Sequence, residues 1–200
     1  MGSKMVIAQN VGVYNRPCKG ERVSGDGYLI KALDSGLFIA LFDVLGHGPD
    51  AYQTSLEYQR YLNENAQANL ITLLIAFNEH AKGSRGAVLS LAYMPHNSSK
   101  LHYVGMGNTV LRKLGKTNVS LLSQFGTLGK QMHTPQLQTL SLEVNDLLLF
   151  YTDGIKSAFT VENYPQIFSE DVNTIAFQIV QRYGKSHDDA CCLVLRVEPC

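Results

Sequence analysis

The chain has 200 residues, 45% of them hydrophobic and 17% charged, with 17 basic side chains balancing 17 acidic ones. A chain of this length and apolar content can build a sizeable core, which excludes an intrinsically disordered protein. The formal net charge of zero argues against a broad electrostatic footprint, so neither nucleic acid nor membrane is expected among the partners.

No apolar run reaches the length of a bilayer span, and no basic-then-apolar leader opens the chain. A cytoplasmic protein is therefore expected. Met1-Gly2-Ser3-Lys4 reads as a cloning remnant ahead of a native Met5, leaving 5–200 as a single domain. The cysteines are Cys18, Cys191, Cys192 and Cys200, without a CxxC pair. Adjacent Cys191 and Cys192 would face opposite sides of a strand, so reduced thiols are expected rather than zinc ligands or disulfides.

In chain order, Gly36 to Val44 is a continuous apolar run ending in a Gly-rich turn and predicts a buried strand. Pro49 suits the first turn of a helix, predicted to run to about Asn65. Asn69 is placed to cap a second helix over Leu70 to Ala81. Short strands are predicted over Ala87–Tyr93, Lys100–Gly105, Val110–Leu114, Val119–Leu122, Leu137–Leu142 and Asp146–Tyr151, divided by Gly, Asn, Ser and Lys turns. A capped helix from Asp171 to Tyr183 and a strand from Cys191 to Val197 complete the chain. This order lacks the alternation of a doubly wound sheet, and predicts an α+β fold of antiparallel sheets with helices outside.

Four segments carry acidic residues at strand ends or in Gly-rich turns: Ser24-Gly25-Asp26-Gly27, Asp43-Val44-Leu45-Gly46-His47-Gly48, Tyr151-Thr152-Asp153-Gly154 and His187-Asp188-Asp189-Ala190. Taken singly, Asp-Gly is a turn signal and Asp188-Asp189 a solvated loop. Converging, these carboxylates would repel one another unless cations neutralised them. Oxygen donors of this kind suit hard divalent ions such as Mg²⁺ or Mn²⁺.

The order of these segments resembles the PPM (type 2C-like) family of metal-dependent serine/threonine protein phosphatases, in its short bacterial sporulation and stress-response branch. Asp43-Val44-Leu45-Gly46-His47-Gly48 is similar to the central motif of that branch. Leu148 to Ile155 and Asp188 to Leu195 are similar to its later metal motifs. Arg85-Gly86-Ala87, Val104 to Asn108 and Gly126-Thr127-Leu128-Gly129 are similar to its intervening signatures. The likeness runs from about Gly20 to Val197, and the compact size is most like a member that resets stressosomes.

The resemblance implies an αββα sandwich, two antiparallel sheets flanked by helices, with two divalent metal ions (Mn²⁺ or Mg²⁺) at one edge. It implies that Asp43 bridges both ions and the Val44 carbonyl binds one. Asp153 and Asp188 would hold the other, and Asp26 would bind through or orient metal-bound water. Water activated between two such ions attacks phosphorus in line, so no protein nucleophile is required. The implied partner is a phosphorylated bacterial signalling protein, a stressosome scaffold or antagonist.

Gly25 stands where larger relatives carry Glu, and Val44 where they carry Gly. Arg22 lies near the position of a phosphate-binding Arg in some relatives, out of register, and reads equally as a surface charge. His47 reads as a loop or capping residue, with a general-acid role as the alternative. His80, His96, His102 and His133 show no HExxH-type spacing and read as surface or structural, and Tyr52, Tyr58 and Tyr61 as packing. Two alternatives stay open: a non-catalytic phosphoprotein-binding module of the same fold, and a phosphatase of small phosphate esters. A GTPase reading of Asp43-Val44-Leu45-Gly46 fails because no GxxxxGK(S/T) loop precedes it.

Overall fold

The computed structural model describes residues 10–96, 98–156 and 165–198. The remnant reading of Met1–Lys4, and Cys200, lie outside these residues. In chain order the strands are β1 (Val11–Arg16), β2 (Asp26–Leu33), β3 (Gly36–Val44), β4 (Ala87–Pro95), β5 (Lys100–Met106), β6 (Val110–Leu114), β7 (Val119–Leu122), β8 (Gly126–Thr127), β9 (Gln131–Met132), β10 (Gln138–Ser141), β11 (Leu147–Tyr151) and β12 (Ala190–Arg196). The helices are α1 (Gly48–Asn65), α2 (Leu70–His80) and α3 (Val172–Tyr183).

Two five-stranded sheets form, in the orders β1-β12-β11-β6-β7 and β10-β5-β4-β3-β2, and every pairing within them is antiparallel. β3 shows why they stack. Phe38, Ala40, Phe42 and Val44 pack with α1 and α2 residues such as Tyr58, Leu62, Leu73 and Phe77. The alternate residues Leu37, Ile39 and Leu41 pack with Phe150, Leu193 and Leu195 of the other sheet. A strand covered on both faces has no polar face to show, hence its unbroken apolar run. On the far side, Leu149, Cys192 and Val194 pack under Ile175, Ala176 and Ile179 of α3. The layers are helix, sheet, sheet, helix.

Cys191 joins the inter-sheet core and Cys192 the α3 core, both fully buried, as strand alternation requires. Asn69 caps α2 by accepting from the Thr72 N–H, and Asp171 caps α3 by accepting from the Asn173 and Thr174 N–H groups.

Besides the short β8–β9 hairpin and a 3-10 turn at Pro165–Ser169, which the sequence reading did not include, the structure differs from the sequence expectations at three further places. β1 is unanticipated. It pairs with β12, and Gly12 permits α3 to lie against it, because a Cβ there would stand 2.4 Å from the Val172 backbone. β2 is the second, since Asp26-Gly27 opens a strand rather than a turn. Third, Asp146 stands just before β11, where its carboxylate accepts from the buried Lys113 ammonium at 3.1 Å and from the Glu143 N–H at 2.8 Å.

Candidate functional site

The pairing of strands decides where the acidic residues go. In β2 and β3, Asp26 stands directly opposite Asp43. Asp43 shares strand parity with Leu37, Ile39 and Leu41, so its side chain lies on the inter-sheet face at the end of β3. Asp26 has the same parity as Tyr28 and Ile30, which pack against that inter-sheet core. In the other sheet, Thr152 continues the parity of Leu148 and Phe150, and Asp189 that of Cys191 and Leu193. Four polar side chains from two sheets therefore meet where the sandwich opens at one end.

The loops are shaped to let this happen. Gly46 and Gly48 have φ of 91° and 78°, a region that suits glycine, and they turn the chain from β3 directly into α1. The Val44 N–H reaches the Gly25 carbonyl at 3.4 Å and the Leu45 N–H the Gly86 carbonyl at 3.1 Å. Gly154 lies hard against the neighbouring loop, because a Cβ there would fall 1.7 Å from the Asp189 carbonyl oxygen.

Burial and mutual repulsion dominate the electrostatics. Asp26 is buried, and desolvation followed by the Asp43 charge drives its carboxyl well above the usual range. Thr152 donates to Asp26 Oδ2 at 2.7 Å, which partly opposes the rise, while Asp26 Oδ1 is buried without a hydrogen-bond partner. Desolvation, then the charges of Asp153, Asp188 and Asp189, push Asp43 up to about 8. Its carboxyl also hydrogen-bonds with that of Asp153. Asp188 is raised by desolvation and then by Asp153. Asn108 Nδ2 donates to Asp153 Oδ2 at 2.7 Å and holds that side chain from the other flank.

Among the described residues, no three His, Cys, Asp or Glu side chains are gathered tightly enough to hold an ion unaided. Mg²⁺ needs only one or two carboxylates and fills its remaining positions with water. An orphaned buried carboxylate oxygen beside carboxyls that cannot all ionise together is a donor set that lacks a counter-charge. The residues fit a divalent cation.

Sequence reasoning identified Asp26, Asp43, Asp153 and Asp188, and all four belong to this electrostatic cluster. It missed Asp189, Thr152 and the grip of Asn108. Asp189 Oδ1 accepts from the Cys18 N–H at 2.7 Å and Oδ2 from the Gly25 N–H at 2.6 Å, tying the 18–25 loop to the end of β12. Thr152 also receives the Cys191 N–H at 3.0 Å. Counting strand parity back from Cys191 and forward from Phe150 would have found both. His47 occupies the N-cap position of α1 without capping it, and its exposed ring meets Glu21 at 3.1 Å. Arg22 is exposed.

Residues 34–198 match the family model described as Stage II sporulation protein E (SpoIIE). The chain belongs to the SpoIIE family. Among curated proteins, phosphoserine phosphatase RsbX of Bacillus subtilis (strain 168) is 24% identical over 145 residues, 72% of this chain and 73% of RsbX. A chain from the bacterial stressosome, a modular system adapted to control secondary messenger signalling, superimposes with a TM-score of 0.84 at 26% identity, covering 94% of this chain and 98% of that one. RsbX in complex with magnesium gives 0.80 at 20% identity, over 98% of this chain and 100% of RsbX. The PP2C phosphatase domain of Bacillus subtilis SpoIIE gives 0.79 at 16% identity, over 99% of this chain and 64% of that one. The αββα sandwich is thus the PP2C fold. With family and fold established, the expectation of a metal-dependent serine/threonine protein phosphatase stands. Among the described residues no helix is long and apolar enough to cross a membrane.

Proposed function

We propose that this chain hydrolyses phosphoserine or phosphothreonine on a bacterial stress-signalling protein in the cytoplasm, and so returns that partner to its resting state. The observation that carries the reading is the face-to-face placement of Asp26 and Asp43 at the open end of the sandwich, within the electrostatic reach of Asp153 and Asp188. Phosphoserine phosphatase RsbX and the stressosome chain supply the biological context by similarity.

The residues that would hold two divalent ions, Mn²⁺ or Mg²⁺, are Asp43, the Val44 carbonyl, Asp153 and Asp188, and Asp26 would orient the water. Such ions, when bound, supply Lewis acidity toward the phosphoryl oxygens and make water acidic enough to attack phosphorus. The chain's own part is orientation. Thr152 fixes Asp26 through Oδ2, which leaves the buried Oδ1 as that carboxylate's free acceptor. Asn108 fixes Asp153. Cys191 and Cys192 take no part, since burial pushes both thiols up and keeps them protonated.

The direct test is phosphate release from a phosphoserine protein with EDTA and then with Mn²⁺ restored. Release should stop in EDTA and return with the metal. Release that persists in EDTA would remove the metal-centred reading. A phosphoprotein left intact beside rapid p-nitrophenyl phosphate hydrolysis would shift the assignment to small esters.

A further inference from the structure

Beside the acidic centre lies a groove of about 470 Å³ that shares Asp153 and its partner Asn108 with that centre. Val110, Tyr151 and Ile155 give it an apolar wall, and Lys156 and Lys185 line it as well. The two lysines are held in register by the backbone. Ile155 bridges to Gly184, the Lys156 N–H donates to the Tyr183 carbonyl at 3.0 Å, and the Lys185 N–H to the Gly154 carbonyl at 2.7 Å. Among the described residues neither ammonium makes a close ion pair, while the Lys185 charge acts at longer range to lower the Asp188 carboxyl. The backbone thus sets two cationic side chains on a groove that shares Asp153 with the cluster of carboxylates.

Building on the phosphatase reading above, we propose that this groove docks the substrate segment flanking the phosphorylated residue, and that Lys156 and Lys185 select segments carrying Asp or Glu there. The phosphate itself belongs with the metals, so the lysines are left for the next charges along the chain. Acidic side chains would otherwise be repelled by Asp153 and Asp188, and the lysines offset that repulsion on one side only. An apolar wall with a basic rim suits an extended segment that alternates apolar and acidic residues. Selectivity is then a matter of charge placement outside the reacting centre. Small esters do not sense it.

The test compares phosphoserine peptides flanked by Glu or by Gln, with p-nitrophenyl phosphate as the reference, all at saturating Mn²⁺. Wild type should prefer the Glu-flanked peptide by about tenfold in kcat/KM, chiefly through KM, and lose the preference at high salt. Lys156→Glu should abolish the preference while p-nitrophenyl phosphate turnover stays within about twofold; Lys185, whose charge also acts on Asp188, is left in place. Equal rates on both peptides in wild type, or an equal fall on all three substrates in the variant, would overturn the proposal. A separate binding assay distinguishes its failure from failure of the phosphatase reading. Fluorescence anisotropy of a labelled Glu-flanked peptide bearing a non-hydrolysable phosphonate should show weakened binding in the charge-reversed variant, whether or not the protein turns over. Unchanged binding overturns the groove; charge-dependent binding without any turnover counts against the phosphatase reading and leaves the groove standing.

Discussion

Asp43→Asn is expected to abolish turnover, by about 10³-fold or more, while making the metal-free protein more stable. The two effects have one cause. Asp43 is forced into a partly buried position opposite Asp26 and against Asp153, and its carboxyl is pushed up to about 8. A folded-state value above the ordinary 3.8 means that the native state binds more protons than the unfolded chain between those two limits. Stability in EDTA therefore falls as pH rises from about 4 to about 8. Asparagine keeps the shape and cannot ionise, so this loss disappears. Thermal melts in EDTA should show the variant above wild type at pH 8, with the gap closing toward pH 4. Adding Mn²⁺ should raise the wild-type melting temperature more than that of the variant, because only the wild type keeps the Asp43 charge with which to hold the ion. A variant that retains wild-type turnover, or that melts below wild type in EDTA at pH 8, would contradict this account.

The same tension explains which parts of the molecule were legible in the sequence. β3 and β12 announce themselves because each is covered on both faces, and a strand with two buried faces has nothing but apolar residues to display. The helices α2 and α3 are legible through Asn69 and Asp171, whose side chains accept the first free N–H groups. β2 was not legible, because Asp26-Gly27 carries a turn signature and Lys31, on the same parity as Leu29 and Leu33, interrupts its apolar pattern. Its register is imposed by β3, in which Phe42, Asp43's neighbour, stands opposite Gly27 and leaves it no room for a Cβ. Asp188 and Asp189 illustrate the limit most sharply. Nothing in an adjacent pair of like residues says which faces solvent and which faces the core. Only the parity of the following strand does, and it reverses their apparent importance for folding.

Asp189→Ala should accordingly damage the fold, and Asp188→Asn the chemistry. Asp189 is buried, and its two oxygens satisfy the Cys18 and Gly25 N–H groups from a loop some 160 residues earlier in the chain, with sequence separations of 171 and 164. Removing the carboxylate leaves two buried donors unmade, a cost of about 2–5 kcal/mol. At about 2–4 °C per kcal/mol for a domain of this size, the melting temperature should drop by on the order of 10 °C. Asp189→Asn should fall between, since its carbonyl can still accept one N–H while its amide faces the other. Activity should decline with the fold, because the Gly25 anchor sits next to Asp26. Asp188 is half-buried and raised by desolvation and by Asp153, so Asp188→Asn relieves repulsion and should leave the melting temperature in EDTA unchanged or higher while phosphate release falls. Circular-dichroism melts paired with phosphate release at several Mn²⁺ concentrations separate the two residues. If both variants lose stability equally, the division of labour drawn from strand parity is wrong, and the two aspartates act as one charged unit.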